Sequence, residues 1–432
     1  MKYREIKPAG RPLEAVVRVP GSKSITNRAL VVAALADGKS TLSGALFSDD
    51  TEHMIACLQS LGVGIETDTV ANTIAVNGGG GYLKAADAGL FCGNSGTTIR
   101  FCTALCALGS GVYTLDGIER MRERPIGPLV DGLRMLGAHI GYAEQEGCPP
   151  VIVHGGTLRS GTVSFDSPPS SQFVSAVLMA APYAMGDVFV EVYGELVSAP
   201  YLSMTTAIMD AFGASVIEQL DSRPAKFIIP APQRYVGREY AIEPDASNAS
   251  YFLAAPAVAG GSVTVEGLGT ESMQGDVCFV DVLEQMGCRV EREAHQLRVH
   301  GPAAGERLRG VDVDLQAMPD TVQTLAVVAV FADGPTRIRN VGNLRLKETN
   351  RLAALATELD KLGARVELFD DGLVIEPPGQ VLPARIATYD DHRMAMSFAL
   401  AGLAVDGIEI LDPHCVNKTF PDFFERFEAI HR

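Results

Sequence analysis

Cations, hydroxyls and carboxamides recur in this 432-residue chain at places where helices are expected to begin. Pro20-Gly-Ser-Lys-Ser-Ile-Thr-Asn-Arg28 runs directly into the apolar stretch Ala29 to Ala36. The Pro-Gly break, Ser22 as N-cap and the small-residue apolar run predict a helix start. Free backbone N–H groups and the positive dipole end favour an anion there, and Lys23 with Asn27, like Ser24 with Arg28, stands one turn apart. Cys92-Gly-Asn-Ser-Gly-Thr-Thr-Ile-Arg100 offers a second such start, where Gly93 and Gly96 around Asn94 let the backbone come close to a ligand. Arg120, Arg122 and Arg124 then crowd one short loop, either as solvated charge or as a clamp for phosphate or carboxylate.

Further groups lie downstream. Ser170-Ser-Gln172 and Leu196-Val-Ser-Ala-Pro-Tyr201 suit a neutral, hydroxylated ligand portion, or plain capping. Asp320 opens another helix start, and Asn343-Leu-Arg-Leu-Lys-Glu-Thr-Asn-Arg351 places Lys347 and Arg351 one turn apart. Glu348 shares a face with Leu352, Leu355, Leu359 and Leu362, and a carboxylate at the wet end of an apolar stripe is a candidate proton-transfer group. Asp390-Asp-His-Arg393 reads as an N-cap acid followed by an anion-binding arginine rather than as a metal site, because adjacent side chains diverge on a helix. Lys418 precedes the last helix.

These clusters share one architecture. Turn glycines that end the first helix of each unit fall at Gly38, Gly111, Gly186, Gly261, Gly334 and Gly407, at intervals of 73 to 75 residues. A second helix ends at Gly62, Gly137, Gly213, Gly287 and Gly363, at intervals of 74 to 76. The chain therefore carries six copies of a βαβαββ-type unit, expected as α/β (α+β) with three copies in each of two domains. The polar stretch Arg234 to Ile242 is the expected crossing. Ala36 to Thr41 lacks the earlier glycine of a phosphate-binding loop and is expected to be a turn, Asp49 to Glu52 a helix-capping acid cluster, and Asn77 to Gly81 a hairpin turn.

A net charge of −16 argues against nucleic-acid and membrane surfaces as partners, so anionic ligands would need cations focused locally. Eight cysteines without a C-x-x-C pair are expected reduced and mostly buried, in a cytoplasmic protein. The N-terminus shows no apolar signal region, and no apolar run reaches transmembrane length.

Taken together, Gly21-Ser-Lys-Ser-Ile-Thr-Asn-Arg28, Gly93-Asn-Ser-Gly-Thr97, Arg120 to Pro125, Ser170-Ser-Gln-Phe173, Asp245-Ala-Ser, Pro319-Asp320, Lys347-Glu-Thr-Asn-Arg-Leu352, Asp391-His-Arg-Met-Ala-Met396 and Lys418-Thr-Phe-Pro421 resemble the enolpyruvyl transferase family, in family order over nearly the full length. The resemblance implies a two-domain inside-out α/β barrel. One domain would be residues 1–20 plus 242–432 and the other 21–241, with a two-strand hinge near 20–21 and 241–242 and the helix starts converging on one cleft. It implies transfer of the enolpyruvyl group of phosphoenolpyruvate to the 5-hydroxyl of shikimate 3-phosphate through a tetrahedral intermediate, with no metal or cofactor, by a monomer. Lys23, Asn94, Gly96, Arg120, Gln172, Arg351, Arg393 and Lys418 would bind phosphoenolpyruvate. Lys23, Ser24, Arg28, Ser170, Ser171, Gln172, Ser198, Tyr201, Asp320, Asn343 and Lys347 would bind shikimate 3-phosphate. Asp320 would be the base and Glu348 the proton donor, with Lys418 sharing that work and Lys23 catalytic.

Three positions depart from the family pattern: Ala199 stands where many members have Lys, Leu344 where an aromatic is common, and Phe101 where Pro is frequent. Gly96 keeps the small residue associated with glyphosate sensitivity, so inhibition competitive with phosphoenolpyruvate is expected, its strength dependent on Phe101. A sister branch acting on UDP-N-acetylglucosamine carries a loop cysteine that Gly117 to Pro125 lacks.

Overall fold

The computed structural model describes residues 2–303 and 305–431. The chain divides into two compact units: unit 1 comprises Met1–Pro20 and Glu243–Arg432, and unit 2 comprises Gly21–Ile242. The crossings thus fall at 20–21 and 242–243. The stretch from Arg234 stays with unit 2, because Glu239–Ala241 is a strand pairing with Asp37–Ser43 in that unit.

Unit 2 contains the helices α1 (Lys23–Leu35), α2 (Asp49–Ser60), α3 (Gly96–Cys106), α4 (Gly127–Met135), α5 (Ser171–Ala180) and α6 (Ala199–Ala211). Unit 1 contains α7 (Ala246–Ala259), α8 (Phe279–Gln285), α9 (Val322–Ala329), α10 (Arg351–Lys361), α11 (His392–Gly402) and α12 (Phe423–Ala429). The odd-numbered helices are Ala/Val/Leu-rich all round, and every residue of α3, α9 and α11 is buried. A helix without a polar face must sit at the centre of a unit, and α7, α9 and α11 pack on one another accordingly. The even-numbered helices are amphipathic and lie outside, and α2, α4, α6, α8 and α10 each end just before a glycine with positive φ, at Gly62, Gly137, Gly213, Gly287 and Gly363. Those positions close the helix in the left-handed conformation that costs glycine least.

Each repeat supplies one sheet with a parallel pair followed by antiparallel strands, as in Asp87–Phe91, Val112–Asp116, Val151–His154 and His139–Tyr142. The fourth sheet takes its first strand from Leu13–Val17, parallel to Gly261–Glu266, and the sixth takes Tyr3–Ile6, antiparallel to Ile408–Leu411. The N-terminal strands thereby cover edges that the C-terminal half would leave open, which is why residues before Pro20 belong to unit 1.

Two expected turns are strand instead. Asp37–Ser43 pairs residue by residue with Thr73–Gly79, so both the Gly38 segment and Asn77 to Gly79 lie in the ladder, and only Gly80 and Gly81 turn. At Gly78 the reason is packing: a Cβ there would stand 2.2 Å from the Ala36 carbonyl oxygen, so the strand runs against α1 only without a side chain. All eight cysteines are free, and seven of them are buried or half-buried. Among the described residues no helix is long and apolar enough to cross a membrane.

Candidate active site

In unit 2 the polar groups gather at the starts of α1, α3 and α5. Ser22 caps α1, its hydroxyl accepting from the Ile25 N–H at 3.4 Å, and this sets Lys23 and Ser24 in the first turn. Lys23 Nζ lies 3.4 Å from Asp50 Oδ2, with the two side chains 13% and 3% exposed. The acid cluster after Ser48 therefore does more than cap α2: the cap itself is the reciprocal Ser48–Thr51 pair, while Asp50 faces Lys23.

Ser95 caps α3 and leaves Gly96 as its first residue. Arg124 Nη1 donates to the Asn94 carbonyl at 2.9 Å and to Asn94 Oδ1 at 3.1 Å. A Cβ on Gly96 would stand 2.7 Å from Arg124 Nη2, so this glycine keeps room for the guanidinium. Of the three loop arginines, Arg124 is the most deeply buried. Arg120 is ion-paired with Glu123 at 2.6 Å with 31% of its side chain exposed, and Arg122 pairs with Asp116 and Glu144. The short 3-10 helix Glu119–Glu123 sets Arg120 and Arg122 beside acidic neighbours before the chain extends at Arg124.

The third start is braced to the second. Arg100 Nη1 donates to Gln172 Oε1 at 2.6 Å, Arg100 Nη2 to the Pro125 carbonyl at 3.1 Å, and Gln172 Nε2 to Thr97 Oγ1 at 3.2 Å. Ser170 caps α5, Ser171 follows it, and Ser198 stands before α6 with φ of +56°, a left-handed conformation that costs a serine energy. Arg28 is 1% exposed. It donates to Thr205 Oγ1, the Ser24 and Tyr201 carbonyls and Ser175 Oγ, and its guanidinium lies over Phe101 and Tyr201. Burial brings its pKa down to about 10, and the side chain ties α1 to α5 and α6. Phe101, where family members often carry Pro, thus serves as the floor under Arg28.

Unit 1 holds a denser cluster at the starts of α9, α10 and α11. Arg351, at the first position of α10, is 1% exposed and touches three carboxylates: Asp391 at 2.7 and 3.2 Å, Glu348 at 2.9 Å and Asp320 at 3.2 Å. Burial alone would lower its pKa, but the charges of Asp391, Glu348 and Asp320 outweigh that and hold it above the ordinary range. Arg393 Nη2 donates to the other oxygen of Asp320 at 2.8 Å and Arg393 Nη1 to the Tyr251 hydroxyl at 3.3 Å. Lys418 Nζ lies 4.0 Å from Glu348 Oε1, both side chains under 10% exposed. Asp391 is the N-cap of α11, accepting from the Arg393 N–H at 2.9 Å, and it is fully buried. Three cations thus face three carboxylates. Asn343 and Lys347 stand on the preceding segment, half-buried. Asp276 completes the surroundings; burial first and the Asp320 charge second push its carboxyl up to about 7.

The chain matches the EPSP synthase (3-phosphoshikimate 1-carboxyvinyltransferase) family over residues 7–427. It belongs to that family. The 3-phosphoshikimate 1-carboxyvinyltransferase of Nostoc sp. is 50% identical over 417 residues, 96% of each chain, and that of Vibrio cholerae is 47% identical over 428 residues, covering 98% of this chain and 99% of the other. EPSP synthase from Acinetobacter baumannii superposes with a TM-score of 0.79 at 27% identity, over 99% of this chain and 97% of that one. The enolpyruvyl transferase NikO of Streptomyces tendae, at 20% identity and a TM-score of 0.77, shares the fold.

For a member of the EPSP synthase family the sequence left several residues unremarked. Arg124 was one of three equivalent loop arginines, and Asp50 and Asp391 read only as helix-start acids. Tyr251 and Asp276 gave no signal, since the Arg393 and Asp320 they face come from other repeats. Among the described residues no group of three or more His, Cys, Asp or Glu side chains is placed to hold a metal ion.

Proposed function

We propose that this chain transfers the enolpyruvyl group of phosphoenolpyruvate to the 5-hydroxyl of shikimate 3-phosphate and releases phosphate. What supports the reading is the unit 1 cluster, in which Arg351 and Arg393 share Asp320 while Arg351 and Lys418 flank Glu348. Cations held by internal carboxylates are preorganised for a ligand's anionic groups at little reorganisation cost. When the phosphate and carboxylate of phosphoenolpyruvate take Arg351, Arg393 and Lys418, Asp320 loses counter-charge and becomes the stronger base. Binding thus prepares the proton acceptor.

Asp320 takes the proton of the 5-hydroxyl as its oxygen attacks the enol carbon, and Glu348 gives a proton to the methylene. In the second step the methyl group returns a proton and the C–O bond to phosphate breaks. Unit 2 supplies Lys23, Asn94, the α3 start at Gly96 and Gln172 for phosphoenolpyruvate, and Ser24, Ser170, Ser171, Ser198 and Tyr201 for shikimate 3-phosphate. Asn343 and Lys347 add to the second set. Arg124, which meets the Asn94–Gly96 turn, takes a clamp role beside Arg120.

Phosphate release from phosphoenolpyruvate with shikimate 3-phosphate tests this, with UDP-N-acetylglucosamine as the control acceptor. Asp320→Ala and Glu348→Gln should each lower kcat by about 10² to 10⁴. Release only with the control acceptor would overturn the reaction, and normal turnover by both variants would overturn their roles.

A further inference from the structure

Beneath the Cys92–Gly96 turn of unit 2 lies a group of sulfur atoms that the proposed reaction does not use. Cys57 on α2, Cys92 before the turn and Cys102 on α3 are each at most 2% exposed. Cys57 Sγ stands 3.9 Å from Cys92 Sγ, and Cys102 Sγ stands 3.8 Å from the Met54 thioether. The cluster lies one side chain below the surface. Cys57 Sγ is 3.7 Å from the carbonyl oxygen of Phe91, a residue 56% exposed whose ring meets His53 edge-on at 5.8 Å.

We propose that Cys57 and Cys92 form a peroxide-responsive dithiol whose closure to a disulfide disables the anion-binding turn above it. The two sulfurs differ in a way that assigns their parts. The neighbouring thiols of Cys102 and Cys92 and then His53 favour the Cys57 thiolate against the opposing effect of burial, and Cys92 is the thiol in hydrogen-bond range at 3.9 Å, whereas Cys92 and Cys102 are pushed up by Cys57 and by burial. Cys57 is therefore the nucleophile and Cys92 the resolving thiol. The Cys57 thiolate attacks one peroxide oxygen and the O–O bond breaks, giving a sulfenic acid and hydroxide. Cys92, losing its proton to that hydroxide, attacks the sulfenic sulfur, and the S–O bond breaks as the S–S bond forms. In sum two thiols and one hydrogen peroxide give one disulfide and two waters, and an added dithiol reverses it.

The consequence follows from the mechanics of the turn. An S–S bond is about 2.05 Å, so the sulfurs must close most of their present separation. Cys92 is anchored to the turn through its carbonyl, which accepts from the Ser95 N–H at 2.9 Å, and Ser95 caps α3 while Asn94 holds Arg124. Gly93 has little slack, since His53 Nε2 would meet a Cβ there at 2.1 Å. Displacing Cys92 therefore shifts Asn94 and Gly96. The disulfide chemistry is independent of the proposed reaction, while its effect on turnover rests on that reading.

The test uses the full chain, reduced, desalted and treated with excess hydrogen peroxide, then alkylated, digested and mapped by mass spectrometry beside an activity assay. A Cys57–Cys92 cross-linked peptide should appear together with a fall of about tenfold to a hundredfold in kcat/KM for phosphoenolpyruvate, restored by dithiothreitol. Cys57→Ser should show neither change, and Cys102→Ala should still cross-link. Oxidation confined to the exposed Cys278, or a Cys57–Cys102 link, would overturn the assignment. A Cys57–Cys92 link without loss of activity would overturn the coupling to the turn alone.

Discussion

Removing Asp391 tests whether one buried carboxylate organises the unit 1 cluster. Asp391→Ala deletes two charge-assisted hydrogen bonds to Arg351, at 2.7 and 3.2 Å, and the cap bond to the Arg393 N–H at 2.9 Å. Leaving a buried charge without its partner costs roughly 3–5 kcal/mol. Glu348 at 2.9 Å and Asp320 at 3.2 Å still face Arg351, so the lower end applies. The lost cap adds about 1 kcal/mol, for a total near 4 kcal/mol. In a unit of this size each kcal/mol lowers Tm by about 2–4 °C, so the transition of unit 1 should drop by roughly 8–16 °C in calorimetry. The activity effect has a separate origin. Without Asp391, Arg351 leans on Asp320 and Glu348 and competes with the protons they must move, so kcat for phosphate release should fall even at temperatures where the variant is folded. Asp391→Asn keeps an acceptor for the cap but not the charge, and should recover part of the stability while kcat stays low. Unchanged melting together with unchanged kcat in Asp391→Ala would refute the reasoning.

Other outcomes follow from the same contacts. Gly96→Ala sets a methyl group against Arg124 Nη2 at 2.7 Å; displacing the guanidinium from Asn94 costs about 1.5–3 kcal/mol, so KM for phosphoenolpyruvate should rise about tenfold or more in steady-state kinetics. Arg124→Ala should raise the same KM more than Arg120→Ala does, and the reverse order would make Arg120 the principal clamp. Asp276 ionises at its ordinary 3.8 when unfolded and near 7 in the folded chain, so folding takes up a proton between those values and stability falls as pH rises from about 4 to about 7. Denaturant titrations should show Asp276→Asn gaining on the parent across that window by on the order of 4 kcal/mol, and a pH-independent difference would contradict it. Glu358, fully buried, accepts from Lys361 Nζ, the Ala387 N–H and the Tyr389 hydroxyl at 2.6, 3.0 and 2.7 Å; Glu358→Ala should lose about 2–3 kcal/mol by leaving those donors unmet, measured by chemical denaturation.

The sequence by itself determined the repeat. Spacing of the turn glycines and of the apolar helices is a local property, set by backbone conformation and side-chain size, and six such copies leave little choice of architecture. It also determined which helix starts carry cations, since N-caps such as Ser22, Ser95, Ser170 and Asp391 act within a turn of their own residue. The tertiary structure decided what each charge faces. Arg351 and Asp391 are 40 residues apart and Arg100 and Gln172 are 72 apart, so their pairing exists only once separate repeats pack. Arg120 and Arg124 have the same chemistry and nearly the same position in sequence, and the path of one short 3-10 helix buries the second against Asn94 while the first, half-buried, pairs with Glu123. Likewise the glycine run at Asn77 to Gly81 favours a turn by composition, yet its first three residues extend, because the ladder with Asp37–Ser43 and contact with α1 offer more than a free loop can. Local rules fix where chemistry can begin; which partner each group meets depends on contacts between residues far apart along the chain.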